Sequence, residues 1–70
     1  MSRSVYRVLV GREGSQFVAT VEGLLGASTF GSNMSELETS VREVVVLAAN
    51  LPDEAIDAFD LEWIPESAIA

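Results

Sequence analysis

Hydrophobic and polar residues alternate in two stretches near the start of the chain, residues 4–10 and 16–22. Alternation with a period of two is typical of strands that have one buried and one exposed face. Residues 11–14 separate the two stretches and carry glycine at both ends. Because glycine tolerates the positive φ angles of tight turns, this pattern predicts an antiparallel hairpin.

A corner and a short third strand are predicted next. Two leucines stand between two glycines at residues 23–26, which indicates a bend with both leucines turned inward. Residues 27–31 can then return as a strand, with Phe30 as its apolar anchor.

A helix is predicted after this strand, because apolar residues recur at helical spacing over residues 34–48. A capping box can begin at Asn33 or at Ser35, since each is followed by glutamate three residues later. Pro52 limits the helix at its other end. The apolar stripe consists of Met34, Leu37, Val41, Val44, Val45 and Ala48.

A last strand is predicted over residues 59–64, which alternate again and place Phe59, Leu61 and Trp63 on one face. Pro65 ends this strand, because proline cannot continue a strand ladder. Trp63 is interpreted first as a core residue of the strand, with contact to a second chain as the alternative.

The element order is therefore β-β-β-α-β, which predicts a two-layer α+β fold with an antiparallel sheet packed by one helix. Seventy residues correspond to a single domain, 1–70. Its core is expected over about 4–64, and the tail 65–70 is expected to fray.

The end of the helix is apolar around its whole circumference, from Val44 to Ala49. Either another chain covers it, or the rest of this small fold does. A domain of this size has little material with which to wrap a helix. We therefore favour an intermolecular contact, with an expected homo-oligomer interface of Val46, Leu47 and Ala49.

Charge is distributed unevenly along the chain, whose net charge is −7. All four arginines lie in the first 42 residues, and the last 28 residues contain seven acids and no base. This distribution disfavours direct nucleic-acid binding and suits a basic protein partner, although solubility alone is an alternative explanation. The residues predicted to bind a partner are Asp53, Glu54, Asp57, Asp60, Glu62 and Trp63.

Candidate catalytic and cofactor chemistry is sparse. The chain contains no histidine or cysteine, which excludes Ser-His-Asp and Cys-His nucleophiles and ordinary zinc sites. An RNase H-like enzyme would need converging carboxylates on the central strands, and these supply only Glu22. We therefore expect no catalytic residues, no metal and no cofactor.

No stretch approaches the roughly 20 consecutive apolar residues of a membrane span. The N-terminal apolar run is too short for a signal peptide. We therefore expect a cytoplasmic protein without membrane association.

The order of these motifs resembles the HicB-like domain of antitoxins. Residues 6–10 correspond to its Y-x-V-x-V opening strand, and residues 17–21 to its aromatic-V/A-A-x-V strand. Residues 24–31 are similar to its L-x-G-C-x-T-x-G corner, with Ala27 in place of the cysteine and without the preceding proline. Residues 35–38 resemble its T/S-x-x-E helix entry.

This resemblance, over residues 5–64, implies a partial RNase H-like unit that commonly forms dimers or larger assemblies. Antitoxins of this family bind a small basic mRNA-cleaving toxin and cover its active site. Many members add a C-terminal DNA-binding segment, which the resemblance does not include, so repression is not implied.

Two hypotheses follow. In the first, the protein is a non-catalytic HicB-like antitoxin of a toxin-antitoxin system, whose acidic residues attract the toxin while Trp63 or Leu47 anchors it. In the second, it is an orphan HicB-like domain that self-assembles and has a regulatory or adaptor role without a toxin.

Overall fold

The computed structural model describes residues 3–66 and confirms the α+β class and the β-β-β-α-β order. A short 3₁₀ helix lies between the helix and the last strand, in a stretch for which no element is predicted above. The predicted fraying of the tail concerns mainly residues 67–70, which lie outside the described residues. The elements are β1 (Ser4–Glu13), β2 (Gln16–Val21), β3 (Ser28–Gly31), α1 (Met34–Ala48), the 3₁₀ helix (Asp53–Asp57) and β4 (Phe59–Pro65).

The sheet has the strand order β3-β2-β1-β4. β1 pairs with β2, and β2 with β3, in the antiparallel sense, whereas β4 runs parallel to β1. The prediction of a wholly antiparallel sheet is therefore wrong. β3 runs in the same direction as β1 and α1 reverses the chain, so the chain enters β4 from the end at which β1 begins. Such a crossover is the connection that parallel strands require.

The core lies between one face of the sheet and α1. Phe59 of β4 lies beside Tyr6 of β1, with their rings edge to face and 5.3 Å apart. The other face of the sheet carries no second layer within residues 3–66. The buried apolar residues are Val8, Ala19, Val21, Ala27, Leu37, Val41, Val45, Val46 and Phe59.

The start of α1 follows directly from the sequence. Asn33 is the N-cap, and its side chain accepts a 2.9 Å hydrogen bond from the amide of Glu36. The Glu36 carboxylate in turn accepts a 3.1 Å bond from the amide of Ser32. Asn33 therefore begins the capping box, and Ser35 lies within the first turn of the helix.

The contact between β3 and α1 is close at Gly31. A Cβ placed there would lie 2.8 Å from the backbone nitrogen of Leu37, which is closer than real Cβ atoms come. Glycine at this position therefore allows the backbone of α1 to rest directly on β3.

The corner before β3 turns only one of its two leucines inward. Leu24 packs against the core, whereas Leu25 is fully exposed. Gly23 and Gly26 flank the pair with φ angles of 87° and 75°. Because the chain turns tightly between these glycines, the two successive side chains point in different directions, and the prediction for Leu25 is wrong.

Arg42 of α1 connects the helix to the segment that leads into β4. Its guanidinium donates hydrogen bonds to the backbone carbonyls of Ile56 and Phe59, at 3.1 and 3.0 Å. It also pairs with Glu38 one turn earlier, at 3.2 Å. Of these contacts, only the pair with Glu38 follows from sequence spacing, since the two residues are four apart on a helix.

Candidate functional site

The acidic end is the surface formed by the last turns of α1 and the adjoining 3₁₀ helix. Its centre is a shallow cavity of about 380 Å³ with an apolar floor and acidic sides. Glu43 and Leu47 lie one helical turn apart on α1, so they face this cavity together. The cavity is lined by Glu43, Val46, Leu47, Asp53 and Ile56.

The three predicted oligomer-interface residues have different environments. Leu47 is 80% exposed, whereas Val46 is 6% exposed and belongs to the core. Val46 is covered because the chain folds back after α1, with the amide of Leu51 donating a 2.9 Å hydrogen bond to its carbonyl. Ala49 is half-buried. Val46 therefore has little surface left for contact with another chain, and the predicted oligomer interface of Val46, Leu47 and Ala49 stays a prediction.

Within residues 3–66, the carboxylates of the acidic end have no direct ion-pair partner, although Arg3 and Arg42 donate hydrogen bonds to the backbone carbonyls of Asp57 and Ile56 beside them. Among the described residues, no arginine lies within ion-pair distance of Glu43 or of the 3₁₀-helix acids Asp53, Glu54 and Asp57. The last turn of α1 contains no basic residue. Because the carboxyl end of a helix carries a partial negative charge, the dipole of α1 adds to the field of these acids.

Asp60 and Glu62, also predicted to bind a partner, lie on the open face of the sheet. Arg3 pairs with Asp60 at 3.2 Å, and Arg7 pairs with Glu62 at 3.5 Å. Arg7 also reaches Glu22 at 3.4 Å. Asp60 is thus paired with Arg3, whereas Glu62 shares the single charge of Arg7 with Glu22.

Trp63 lies on the helix side of β4, facing away from Asp60 and Glu62. It is half-buried and packs against the core, in agreement with its interpretation as a core residue. The six predicted partner-binding residues therefore do not form one surface. Only Asp53, Glu54 and Asp57 lie together at the acidic end.

The open face of the sheet is a second candidate surface. Phe30 on β3 is 61% exposed and lies opposite Val18 on β2. Leu9 and Ile64 are neighbours on β1 and β4, and both are half-buried. This face therefore has an apolar half, and its other half holds the ion pairs of Arg7.

Sequence reasoning missed Glu43 and Ile56 as residues of the candidate site. Glu43 could have been found from its position four residues before Leu47. Ile56 gave no local signal, because its place in the cavity depends on how the 3₁₀ helix folds back against α1.

Among residues 3–66, no group of three or more acidic, histidine or cysteine side chains could hold a metal ion. No helix in this part of the chain is long and apolar enough to cross a membrane. Comparison with protein-family models, with curated proteins and with solved structures finds no match to this chain.

Proposed function

We propose that the protein is a non-catalytic protein-binding domain that binds a basic partner through the acidic end. The observation that carries this proposal is Leu47, a large apolar side chain that is 80% exposed between acids without a cationic partner in the described chain. The resemblance to HicB-like antitoxins suggests the partner's class. It is a small basic mRNA-cleaving toxin, which the protein neutralises by covering its active site.

Charge and apolar contact have different roles in this proposal. The acids steer a basic partner toward the surface and raise the association rate, an effect that weakens as salt is added. Leu47 and the apolar floor beneath it slow dissociation, because a central apolar anchor excludes water from the contact. Asp60 and Glu62 contribute less, since they lie on the open face of the sheet and each is paired with an arginine.

The test compares affinity capture by the tagged protein and by a variant carrying Leu47→Ser, Glu43→Lys and Asp53→Lys. Capture is made from the lysate of the protein's own host, and bound proteins are quantified by mass spectrometry. The expected result is a small basic protein that the wild type enriches and the variant does not. The captured protein is then assayed for mRNA cleavage, which adding the wild-type chain should inhibit.

Glu13→Lys is the matched control, because it reverses one charge at the opposite end of the sheet, in the exposed end of β1. It should leave capture unchanged. Equal capture by the wild type and the triple variant would refute the proposed surface. A captured basic protein that does not cleave mRNA would retain the binding function and refute the antitoxin role.

A self-assembling domain is the second candidate function, and the exposure of Phe30 on the open sheet face favours it. In this case, sedimentation should give a mass above that of one chain, and Phe30→Ser or Leu47→Ser should reduce it. Phe30→Ser tests the sheet face and Leu47→Ser the helix end, so the two candidate interfaces are distinguished. A wild-type protein that sediments as a single chain would refute this function.

A further inference from the structure

A second cavity lies at the other end of the molecule, between the start of α1 and the end of β4. We call it the sheet-end groove. Its volume is about 680 Å³, within the range of small-molecule sites. α1 begins over β3 and leaves the adjoining part of the sheet uncovered, which opens the groove. It is lined by Val10, Gly11, Arg12, Phe17, Met34, Trp63, Pro65 and Glu66.

The lining combines rigid aromatic surface with an adaptable side chain. Phe17 on β2 and Trp63 on β4 supply aromatic rings, and Val10 lies on β1, the strand between β2 and β4. Met34, at the first position of α1, is exposed and has the flexible thioether side chain that adjusts to differently shaped apolar ligands. Such a lining can bind the apolar part of a ligand without being selective for one particular ligand.

Arg12 gives the groove its single cationic group. Its guanidinium lies 5.0 Å from the centre of the Phe17 ring, which holds it against the apolar lining. Arg3, Arg7 and Arg42 all have carboxylate partners, whereas no carboxylate of residues 3–66 lies within ion-pair distance of Arg12. The guanidinium therefore remains available for an anionic ligand.

Glu66 lines the same groove but does not neutralise Arg12. Its carboxylate occupies the space that a Cβ at Gly11 would fill. Successive strand residues point to opposite faces of a sheet, so this space and the Arg12 side chain lie on opposite faces of β1. The acid and the guanidinium are thus separated by the strand itself.

We propose that the sheet-end groove binds a small amphipathic carboxylic acid. Its apolar body lies on Phe17 and Trp63, and its carboxylate pairs with Arg12. The planar guanidinium fork matches the two oxygens of a carboxylate. Arg12 is the one cationic side chain of the groove, and the chain as a whole has a net charge of −7. The groove therefore suits a ligand with one negative charge better than a phosphate monoester with two.

The test uses the fluorescence of Trp63, the only tryptophan in the chain. The full protein is titrated with decanoate and, separately, with decanol, both below the concentrations at which they aggregate. Decanoate should change the emission in a saturable manner. Arg12→Gln should weaken its binding at least tenfold and leave decanol binding within twofold.

Arg7→Gln is the matched control, since it removes the same charge from the open face of the sheet. It should leave decanoate affinity within twofold. Amide chemical shifts measured during the titration should change at Val10 and Met34, which checks the site independently of Trp63. Circular dichroism establishes that each variant is folded.

Three results would overturn the proposal. Absence of a saturable response to decanoate would show that the groove does not take such ligands. Equal weakening by Arg7→Gln and Arg12→Gln would attribute binding to net charge instead of to this groove. Equal weakening of decanoate and decanol by Arg12→Gln would mean that Arg12 shapes the groove without binding the carboxylate.

Discussion

Replacing Arg42 with alanine should destabilise the fold more than any other single loss of charge. Arg42 is the least exposed arginine of the four ion pairs, with 18% of its side chain accessible. It donates two hydrogen bonds to backbone carbonyls, of Ile56 and Phe59, and its guanidinium lies 5.2 Å from the centre of the Phe59 ring. Its removal therefore eliminates two of the hydrogen bonds that join α1 to the segment leading into β4.

The size of the effect follows from these contacts. A hydrogen bond from a charged donor contributes about 1.5–3 kcal/mol, and the lower value applies because the Phe59 carbonyl also accepts a 2.9 Å hydrogen bond from Arg3. The ion pair with Glu38 adds only about 0.3–0.5 kcal/mol, because the carboxylate is half exposed. We expect Arg42→Ala to cost about 3 kcal/mol of unfolding free energy. For a domain of this size, that lowers Tm by roughly 12–24 °C.

Urea denaturation followed by circular dichroism measures this change, with Arg12→Ala as the matched control. The Arg12 guanidinium also lies over an aromatic ring, 5.0 Å from the centre of Phe17. Unlike that of Arg42, it donates no hydrogen bond to a backbone carbonyl of the described residues. Its loss should therefore cost no more than about 1 kcal/mol. If Arg42→Ala costs no more than Arg12→Ala, the two carbonyl bonds do not hold the helix to β4 and the reasoning is refuted.

Three further changes test other contacts by the same denaturation measurement. Asn33→Ala should cost about 1 kcal/mol through loss of the helix cap, and Asn33→Asp should restore most of it. Gly31→Ala should cost roughly 1–3 kcal/mol, because its Cβ would press on the backbone of Leu37; wild-type stability would contradict the close contact of β3 with α1. Val46→Ala should cost about 2 kcal/mol, whereas Leu47→Ser should stay within about 0.5 kcal/mol; equal losses would contradict the burial difference between these neighbours.

Local signals in the sequence were sufficient to predict the strands and the α-helix of the fold. Alternation located the hairpin and β4, and the residues around Asn33 specified the start of α1. The direction of β4 relative to β1 was not predicted, because it depends on which end of the sheet the chain enters after α1. Sequence periodicity gives the faces of a strand but not its partner.

The end of α1 shows why burial is harder to predict than secondary structure. Val46 and Leu47 are adjacent, similar in apolarity and inside the same helix, yet one is buried and the other is exposed. The difference arises because the 3₁₀ helix covers one side of α1. Helical spacing from Leu37 and Val41 alone predicts that Ala48 is buried on the same stripe. In the structure, Ala48 is exposed, so spacing does not predict burial at this end of the helix.

The candidate site was only partly predictable for a related reason. The acids after residue 50 stand without bases nearby in the sequence, which suggested one continuous acidic surface. The fold brings Arg3 to Asp60 and Arg7 to Glu62 through the parallel pairing of β1 with β4. Pairs so distant along the chain leave no local pattern, so the division between acids with and without an arginine partner became visible only in the structure.

This division gives the molecule two chemically different ends. β1 runs from the end that holds the 3₁₀ helix toward the end that holds Arg12, and the molecule extends 35 Å along its longest axis. The unpaired acids of the 3₁₀ helix lie at the first end, and Arg12 lies at the second end, where Glu13 and Glu66 are also unpaired within the described residues. Screening at physiological salt acts over about 8 Å, so the two fields are nearly independent. A basic protein at the acidic end and an anionic ligand in the sheet-end groove could therefore bind at the same time, without competing for charge or for surface.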